Sequence, residues 1–413
     1  SEIYPSKKLL KNVSDMIEGE EIFSLLDEQI IAKNTIISTL RKNYKDEDDK
    51  NVIIVKGGPG TGKSVIALHI LAYLANNAGN KLNIMWACKS KSFREGIKSL
   101  INRDAGRLFN NLYKSINPNV HSENEYDTII VDEAHRIERS GDTRFTPKKI
   151  RSDMPMVDRI IRAAKTSIFF IDDFQLIRGK EIGSTKLIRE TAKNFNTSID
   201  EIELKTQFRC NGSNSYLDWL EYVLDYTNKK RLLKKDDDFD FRIFDSPHTL
   251  YNRLLEKESE KENSARLTAG FCWEWSNQLD ENGELINDVK IGDFEMPWET
   301  HMSIQKIPEG YVPWYQWGYK KEGIKQVGCI YTAQGFEFDY IGVLFGKDLY
   351  YDIQKDRLTG DFENNKDPML KNDDMFEQYV RNIYRVLMTR GLKGCYVYFL
   401  DKNTEEYFRR YME

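Results

Sequence analysis

The chain has 413 residues, of which 40% are hydrophobic and 31% charged, with a formal net charge of -5. That length accommodates two or three domains, and the composition excludes a disordered, collagen-like or disulfide-scaffold protein. No apolar run approaches the roughly 20 residues that span a bilayer, so no membrane partner is expected. The N-terminus, SEIYPSKKLLKN, lacks the apolar core of a signal peptide. A first residue of Ser points to a processed or excised piece with a partner domain upstream. The acidic balance is not the basic surplus of a general nucleic-acid binder, although a local basic groove would suffice. Cys88, Cys210, Cys272, Cys329 and Cys395 lie far apart without a C-x-x-C pair or a nearby His, which argues against zinc and for a reducing cytoplasmic setting.

In chain order, residues 1–45 carry apolar positions at near-helical spacing. Val52 to Val55 is a short apolar strand. A glycine-rich turn, Gly57 to Gly62, follows it, and an amphipathic helix starts near Lys63 with Ile66, Ile70 and Leu74 on one face. Leu82 to Ala87 reads as the next strand, and Asn110 to Asn124 as loop. Asp127 to Val131 is a buried strand, and a helix over 152–164 leads into another at Ser167 to Asp172. Four apolar β-runs with helices between them predict a parallel, doubly wound α/β sheet. A second α/β set is expected from residue 199 onward. It has a short strand at Ile202 to Leu204 and a helix from Ser215. Further strands are expected at Phe239 to Phe244, Arg266 to Trp275, Val327 to Tyr331, Tyr340 to Phe345 and Cys395 to Leu400. Helices over 249–261 and 376–389 complete it. The expected domains are therefore 1–198 and 199–413, the second carrying an irregular insertion at about 276–325.

The turn holds G-x-x-x-x-G-K-S in the strand–loop–helix context that makes this pattern a phosphate cradle. Backbone N–H groups of Gly57, Gly58, Gly60, Thr61 and Gly62 surround the anion, with Pro59 in the same turn, helped by the positive end of the helix. Lys63 would reach the β- and γ-phosphates of ATP, and the Ser64 hydroxyl would ligate Mg²⁺. Asp132 and Glu133, in Val131-Asp132-Glu133-Ala134-His135, sit at a strand's C-terminal end, where α/β sheets bind ligands. Asp132 would hold Mg²⁺ and Glu133 would orient or deprotonate the attacking water. Gln175 closes Asp172-Asp173-Phe174-Gln175, where it could sense the γ-phosphate; the competing reading makes Asp172 or Asp173 a helix N-cap. Arg209 and Arg390 stand out in the second half. Each could stabilise transition-state charge, whereas a cation at Arg390 equally suits the C-terminal end of the preceding helix.

The ordered set GGPGTGKS, VDEAHR, FFIDDFQ, LKTQFRC, ARLTAGFCWEW, CIYTAQGFEFDYIGVLFG and NIYRVLMTRGLKGCYVYFLD resembles superfamily 1 helicases, and within them the Schlafen-group-3-like DNA/RNA helicase family of bacterial proteins. The resemblance implies two tandem RecA-like P-loop domains with ATP in the cleft between them, and a protein that steps along single-stranded or partly duplex DNA or RNA. It makes Arg209 and Arg390 arginine fingers and Gln175 the glutamine of the third motif, and it sets Gln29 against the adenine. Thr332 would touch nucleic-acid phosphate, and Gln334, Gly335 and Glu337 would link that motif to the nucleotide. Asp172 stands where the family pattern has Gly. Lys89, Lys91, Arg94 and Lys98 form a small basic cluster suited either to strand phosphates or to a solvated helix face. Trp273, Trp275, Trp298, Trp314 and Trp317 could stack on bases or pack the insertion. Two functions stay open: an ATP-driven helicase or translocase, and a nucleotide-dependent switch that governs an attached or partner nuclease without unwinding.

Overall fold

The computed structural model describes residues 27–43, 50–58, 61–77, 82–88, 109–110, 116–142, 146–175, 180–204, 214–234, 239–333 and 336–413. These residues form two compact units that part between Gln207 and Phe208.

The first unit is a six-stranded sheet. Its strands are β1 (Asn51–Gly57), β2 (Ile84–Ala87), β3 (Phe109–Asn110), β4 (Tyr126–Val131), β5 (Ala164–Ile171) and β6 (Ser198–Leu204). The spatial order is β3-β2-β4-β5-β1-β6 and every pair is parallel. Alternation along β1 splits the core between the two faces of the sheet. Ile53 and Val55 pack with Ile168 and Phe170 under helices α1 (Asp27–Asn43) and α2 (Lys63–Asn77). Val52 and Ile54 point the other way, to Phe169 and Ile171 and to helices α3 (Met156–Ala163) and α4 (Thr185–Asn194). Because both faces are covered, the strands read as continuous apolar runs.

Two expectations change here. Helix α2 is not amphipathic in effect: Val65 to Ala72 are all buried, because Ala32, Ile36 and Leu40 of α1 cover the side turned away from the sheet. The strand containing Ile202 to Leu204 does not open a second domain. It is β6, hydrogen-bonded along β1 from Asn51↔Ser198 to Gly57↔Leu204, so the first sheet extends past residue 198.

The second unit has helix α5 (Asn214–Val223) and a four-stranded parallel sheet of order β7-β14-β11-β8. Its strands are β7 (Asp240–Ile243), β8 (Ala265–Ala269), β11 (Phe338–Phe345) and β14 (Gly391–Phe399), while β12 (Leu349–Asp352) and β13 (Arg357–Gly360) form a separate antiparallel pair. Helix α6 (Pro247–Glu260) lays Leu250 and Leu254 on Leu267, Leu344 and Tyr396. Helix α8 (Phe376–Met388) precedes β14 with only Thr389 and Arg390 between them, so Gly391 starts a strand at once.

The inserted segment contains an antiparallel hairpin, β9 (Val289–Ile291) with β10 (Phe294–Met296), whose Val289, Phe294 and Met296 join the same core as β8. Its tryptophans pack and anchor. Trp317 is fully buried and donates to the Gln326 carbonyl at 2.9 Å, and the Trp298 indole donates to the Glu274 carbonyl at 2.9 Å. Arg266 of β8, also fully buried, donates to the carbonyls of Trp317 at 2.9 Å and Lys320 at 2.6 Å. Val327 to Tyr331 is not a full strand. Gly328 alone bridges Thr268 of β8, and the chain then winds into the short helix α7 (Ile330–Ala333). The reason is local: the Cys329 N–H donates to the Glu299 carboxylate at 2.8 Å instead of to a neighbouring strand.

Candidate active site

Register brings the first unit's chemistry to one edge. Phe169 of β5 pairs with Ile54 of β1 on one side and with Val131 of β4 on the other. The three strands therefore end together, and Gly57, Asp132 and Asp172 all leave from the C-terminal edge of the sheet.

At the glycine-rich turn, Gly62 has φ +82°, a conformation that side chains with a Cβ rarely adopt. The turn is held from within. The Lys63 ammonium donates to the carbonyls of Gly57 at 2.6 Å and Gly58 at 2.7 Å, and the Thr61 hydroxyl donates to the Gly58 carbonyl at 3.0 Å. Gln29, expected at an adenine edge, is 2% exposed, and its amide donates to the Thr61 carbonyl at 3.2 Å. Its visible work is thus on the loop that precedes Lys63. Helix α2 begins at Lys63, and the Ile66 N–H takes the Gly62 carbonyl at 2.9 Å.

Asp132 is buried, and its carboxyl is hydrogen-bonded by the Ser64 side chain and by the Glu133 N–H at 3.0 Å. Burial, with the neighbouring Glu133 charge, pushes it up to about 7 against the opposing pull of Ser64 and Lys63. A buried carboxyl beside a serine hydroxyl is a donor set that fits a divalent cation of the Mg²⁺ type. Glu133 adopts φ 53°, ψ 48°, left-handed geometry that a non-glycine residue holds only under constraint. Arg136 holds its side chain. Its Nη1 donates to Glu133 Oε2 at 3.0 Å, and its Nε lies 3.6 Å from Glu181 Oε1. Burial works against the Arg136 charge, but Glu133 and Glu181 outweigh it and raise the guanidinium further. His135, 1% exposed, is pushed down by burial against the opposing charges of Glu133, Asp172 and Glu181.

On β5 the motif closes on itself. The Gln175 amide donates to Asp172 Oδ2 at 2.9 Å, and Gln175 is 5% exposed. Asp173 is not a helix N-cap; it accepts the Thr185 N–H and hydroxyl, each at 2.8 Å, at the start of α4. The N-cap residue itself is Ser184, whose hydroxyl oxygen accepts from Leu187.

In the second unit Arg390 is 2% exposed. Its Nε donates to the Val386 carbonyl at 3.0 Å and its Nη1 reaches the Phe336 carbonyl at 3.5 Å. The helix-end reading of this cation is therefore realised in the geometry: it serves a last-turn carbonyl of α8. Thr332, expected at a nucleic-acid phosphate, is 6% exposed, and its hydroxyl donates to Glu299 Oε1 at 2.6 Å. Glu337 is half-buried beside β11. Pro59, Gly60, Lys89, Lys91, Arg94, Lys98, Arg209, Gln334 and Gly335 lie outside the described residues.

Sequence reasoning missed Arg136, Glu181 and Glu299. The position of Arg136, three residues after Glu133, was a usable signal. Glu181 and Glu299 are brought in from distant turns and leave no local pattern. Gly183 marks the approach of the Glu181 segment, since a Cβ there would lie 1.9 Å from the Ala134 carbonyl oxygen.

A glycine-rich turn feeding Lys63 and Ser64, with the paired carboxylates at the same sheet edge, defines a P-loop NTPase-like fold. The model of the Schlafen group 3 DNA/RNA helicase domain matches residues 50–401. The chain belongs to that family. It is 26% identical over 437 residues to the uncharacterized protein YPL245W of Saccharomyces cerevisiae, covering 93% of this chain and 90% of that protein. Among solved structures, the Pif1 helicase of Candida albicans aligns over 94% of this chain and 100% of its own, with 10% identity and a TM-score of 0.36. A DNA replication initiation factor aligns over 52% of this chain and 56% of its own, with 13% identity and a TM-score of 0.24. At those scores the fold assignment rests on the two parallel sheets.

Proposed function

We propose that the protein hydrolyses ATP to move along a single strand of DNA or RNA. The observation that carries the reading is the junction of Ser64 with Asp132 and Glu133 at the edge where β1 and β4 end together. There the chain's own groups divide the labour of phosphoryl transfer. The N–H groups from Gly57 to Gly62 and the Lys63 ammonium bind the triphosphate. Glu133, fixed in direction by Arg136, accepts a proton from the attacking water. Gln175, tied to Asp172, orients that water. Arg209 and Arg390 act on the charge that develops at the γ-phosphate. Ser64 and Asp132 would hold Mg²⁺, which screens phosphate charge when bound. Family membership supports nucleic acid as the partner, with Lys89, Lys91 and Arg94 as phosphate contacts. Cys88, Cys272, Cys329 and Cys395 form no disulfide with one another, which suits a reducing cytoplasm.

The net charge of -5 favours one other reading, a nucleotide switch that governs a nuclease without unwinding. ATPase rates measured with and without single-stranded DNA and RNA, alongside strand displacement on a tailed duplex, separate the two. Stimulated hydrolysis with displacement supports the motor. Hydrolysis indifferent to every strand overturns it, and stimulation without displacement or translocation leaves the switch.

A further inference from the structure

Glu299 is fully buried in the inserted segment of the second unit, where it faces the turn from Cys329 to Thr332. Its Oε2 accepts the Cys329 N–H at 2.8 Å, and its Oε1 accepts the Cys329 thiol at 2.9 Å and the Thr332 hydroxyl at 2.6 Å. One carboxyl thus gathers both ends of the turn that winds Ile330–Ala333 into helix. The backbone of Glu299 is locked as well. Its N–H donates to the Val327 carbonyl at 2.8 Å, and its carbonyl accepts the Trp275 indole at 2.8 Å. Two further bonds pin the segment, since the Gln326 amide donates to Thr300 Oγ1 at 3.0 Å and to the Val312 carbonyl at 3.1 Å.

Removing this carboxyl would leave the buried Cys329 N–H and Thr332 hydroxyl without their acceptor, which is penalised heavily. The Thr332 hydroxyl has its proton committed to a carboxyl, which is a poor arrangement for greeting a phosphate directly. We propose that Glu299 is a positioning residue for the response to nucleic acid. It holds the Cys329–Thr332 turn, through which strand binding is relayed, so that the inserted segment sets how tightly a bound strand engages. This rests on the motor reading above. Thr332 then acts through its bond to Glu299, and the insertion is a working part of the second unit.

The test is a double-mutant cycle on the full chain, reading ATP hydrolysis against the concentration of a poly-dT oligonucleotide. The variants are Glu299→Ala, Thr332→Val, the pair together, and Glu299→Gln, which keeps an oxygen acceptor for the turn. Glu299→Ala and Thr332→Val should each raise the half-saturating oligonucleotide concentration roughly tenfold, the effect of one lost hydrogen bond. The double variant should be no worse than either, and Glu299→Gln should restore most of the response. Additive effects would mean that Thr332 meets the strand itself, and would overturn the proposal, as would a Glu299→Gln variant as impaired as Glu299→Ala. If Glu299→Ala fails to fold, Thr332→Val and Glu299→Gln, which keep the shape of the site, decide the question. A parent protein stimulated normally, with all variants matching it, removes the role of Glu299 alone. A parent protein unresponsive to any strand removes the motor reading and this proposal together.

Discussion

Arg136 holds Glu133 across a single helical turn, Nη1 to Oε2 at 3.0 Å, with both side chains largely shielded from water. The pair matters because Glu133 is also held in left-handed backbone geometry, which costs a non-glycine residue on the order of 1 kcal/mol. Strain and ion pair together fix one direction for the carboxylate. Arg136→Ala should therefore lower the ATPase kcat by roughly 10²-fold through misplacement of the base. Glu133→Gln should cost roughly 10²- to 10⁴-fold by removing it. Neither should abolish nucleotide binding. Steady-state hydrolysis beside calorimetric nucleotide titration checks both. An unchanged kcat in Arg136→Ala would reduce the arginine to a structural ion pair.

Gly62→Ala tests the turn. At φ +82° any Cβ is strained, and here it would also lie 2.1 Å from the Gln29 amide nitrogen. The substitution should destabilise the first unit by about 1–2 kcal/mol and weaken nucleotide binding. Adding Gln29→Ala removes the collision but not the strain, so the double variant should recover only part of the melting temperature. Full recovery would show that crowding by Gln29, and not backbone geometry, requires the glycine.

The parts of this molecule that were legible in its sequence are those whose partners are close in the chain. Gly57 to Ser64 is one strand–turn–helix, and Asp132-Glu133 ends one strand, so local pattern and local chemistry coincide. The two parallel sheets followed from apolar runs long enough to be buried on both faces. Ile202 to Leu204 is expected in the second domain but lies in the first sheet, because a mostly exposed strand gives no sign of which sheet it joins; its bonds to β1 decide that. Val327 to Tyr331 looked like a strand because its residues suit one, and Glu299, thirty positions away, takes the N–H that a strand would have used. Gln29 is set against the adenine by the resemblance alone, since nothing in its neighbourhood signals the Thr61 carbonyl.

Glu299 should also report itself through pH. Burial pushes its carboxyl from the ordinary 4.5 up to about 7, partly offset by the donors Cys329 and Thr332. The folded state then binds its proton more tightly than the unfolded state does. The resulting stabilisation is complete below about 4.5, declines as pH rises, and is gone above about 7. Its size is on the order of 3 kcal/mol. Asp132 and Asp348 are also raised by burial, so the parent curve alone is not diagnostic. The difference between parent and Glu299→Gln isolates the group. In urea unfolding at a series of pH values, the parent should lose stability relative to Glu299→Gln between pH 5 and 7 and run parallel to it above that window. Parallel curves throughout would place the Glu299 carboxyl in its normal range.

Arg390 carries two readings that a pair of substitutions can divide. Its Nε serves the Val386 carbonyl at the end of α8, and its proposed role is to stabilise charge on the γ-phosphate. Arg390→Ala removes both functions. Hydrolysis should fall by roughly 10³-fold or more, with nucleotide binding retained, and the second unit should melt earlier because a buried carbonyl loses its donor. Arg390→Lys separates the effects. A lysine still places a cation at the helix end, but it has no planar fork with which to span two acceptors. It should regain much of the lost stability while leaving hydrolysis near the level of the alanine variant. If hydrolysis returns together with stability, Arg390 is a helix-end residue whose loss harms the ATPase only through the fold, and the charge-stabilising role passes to Arg209.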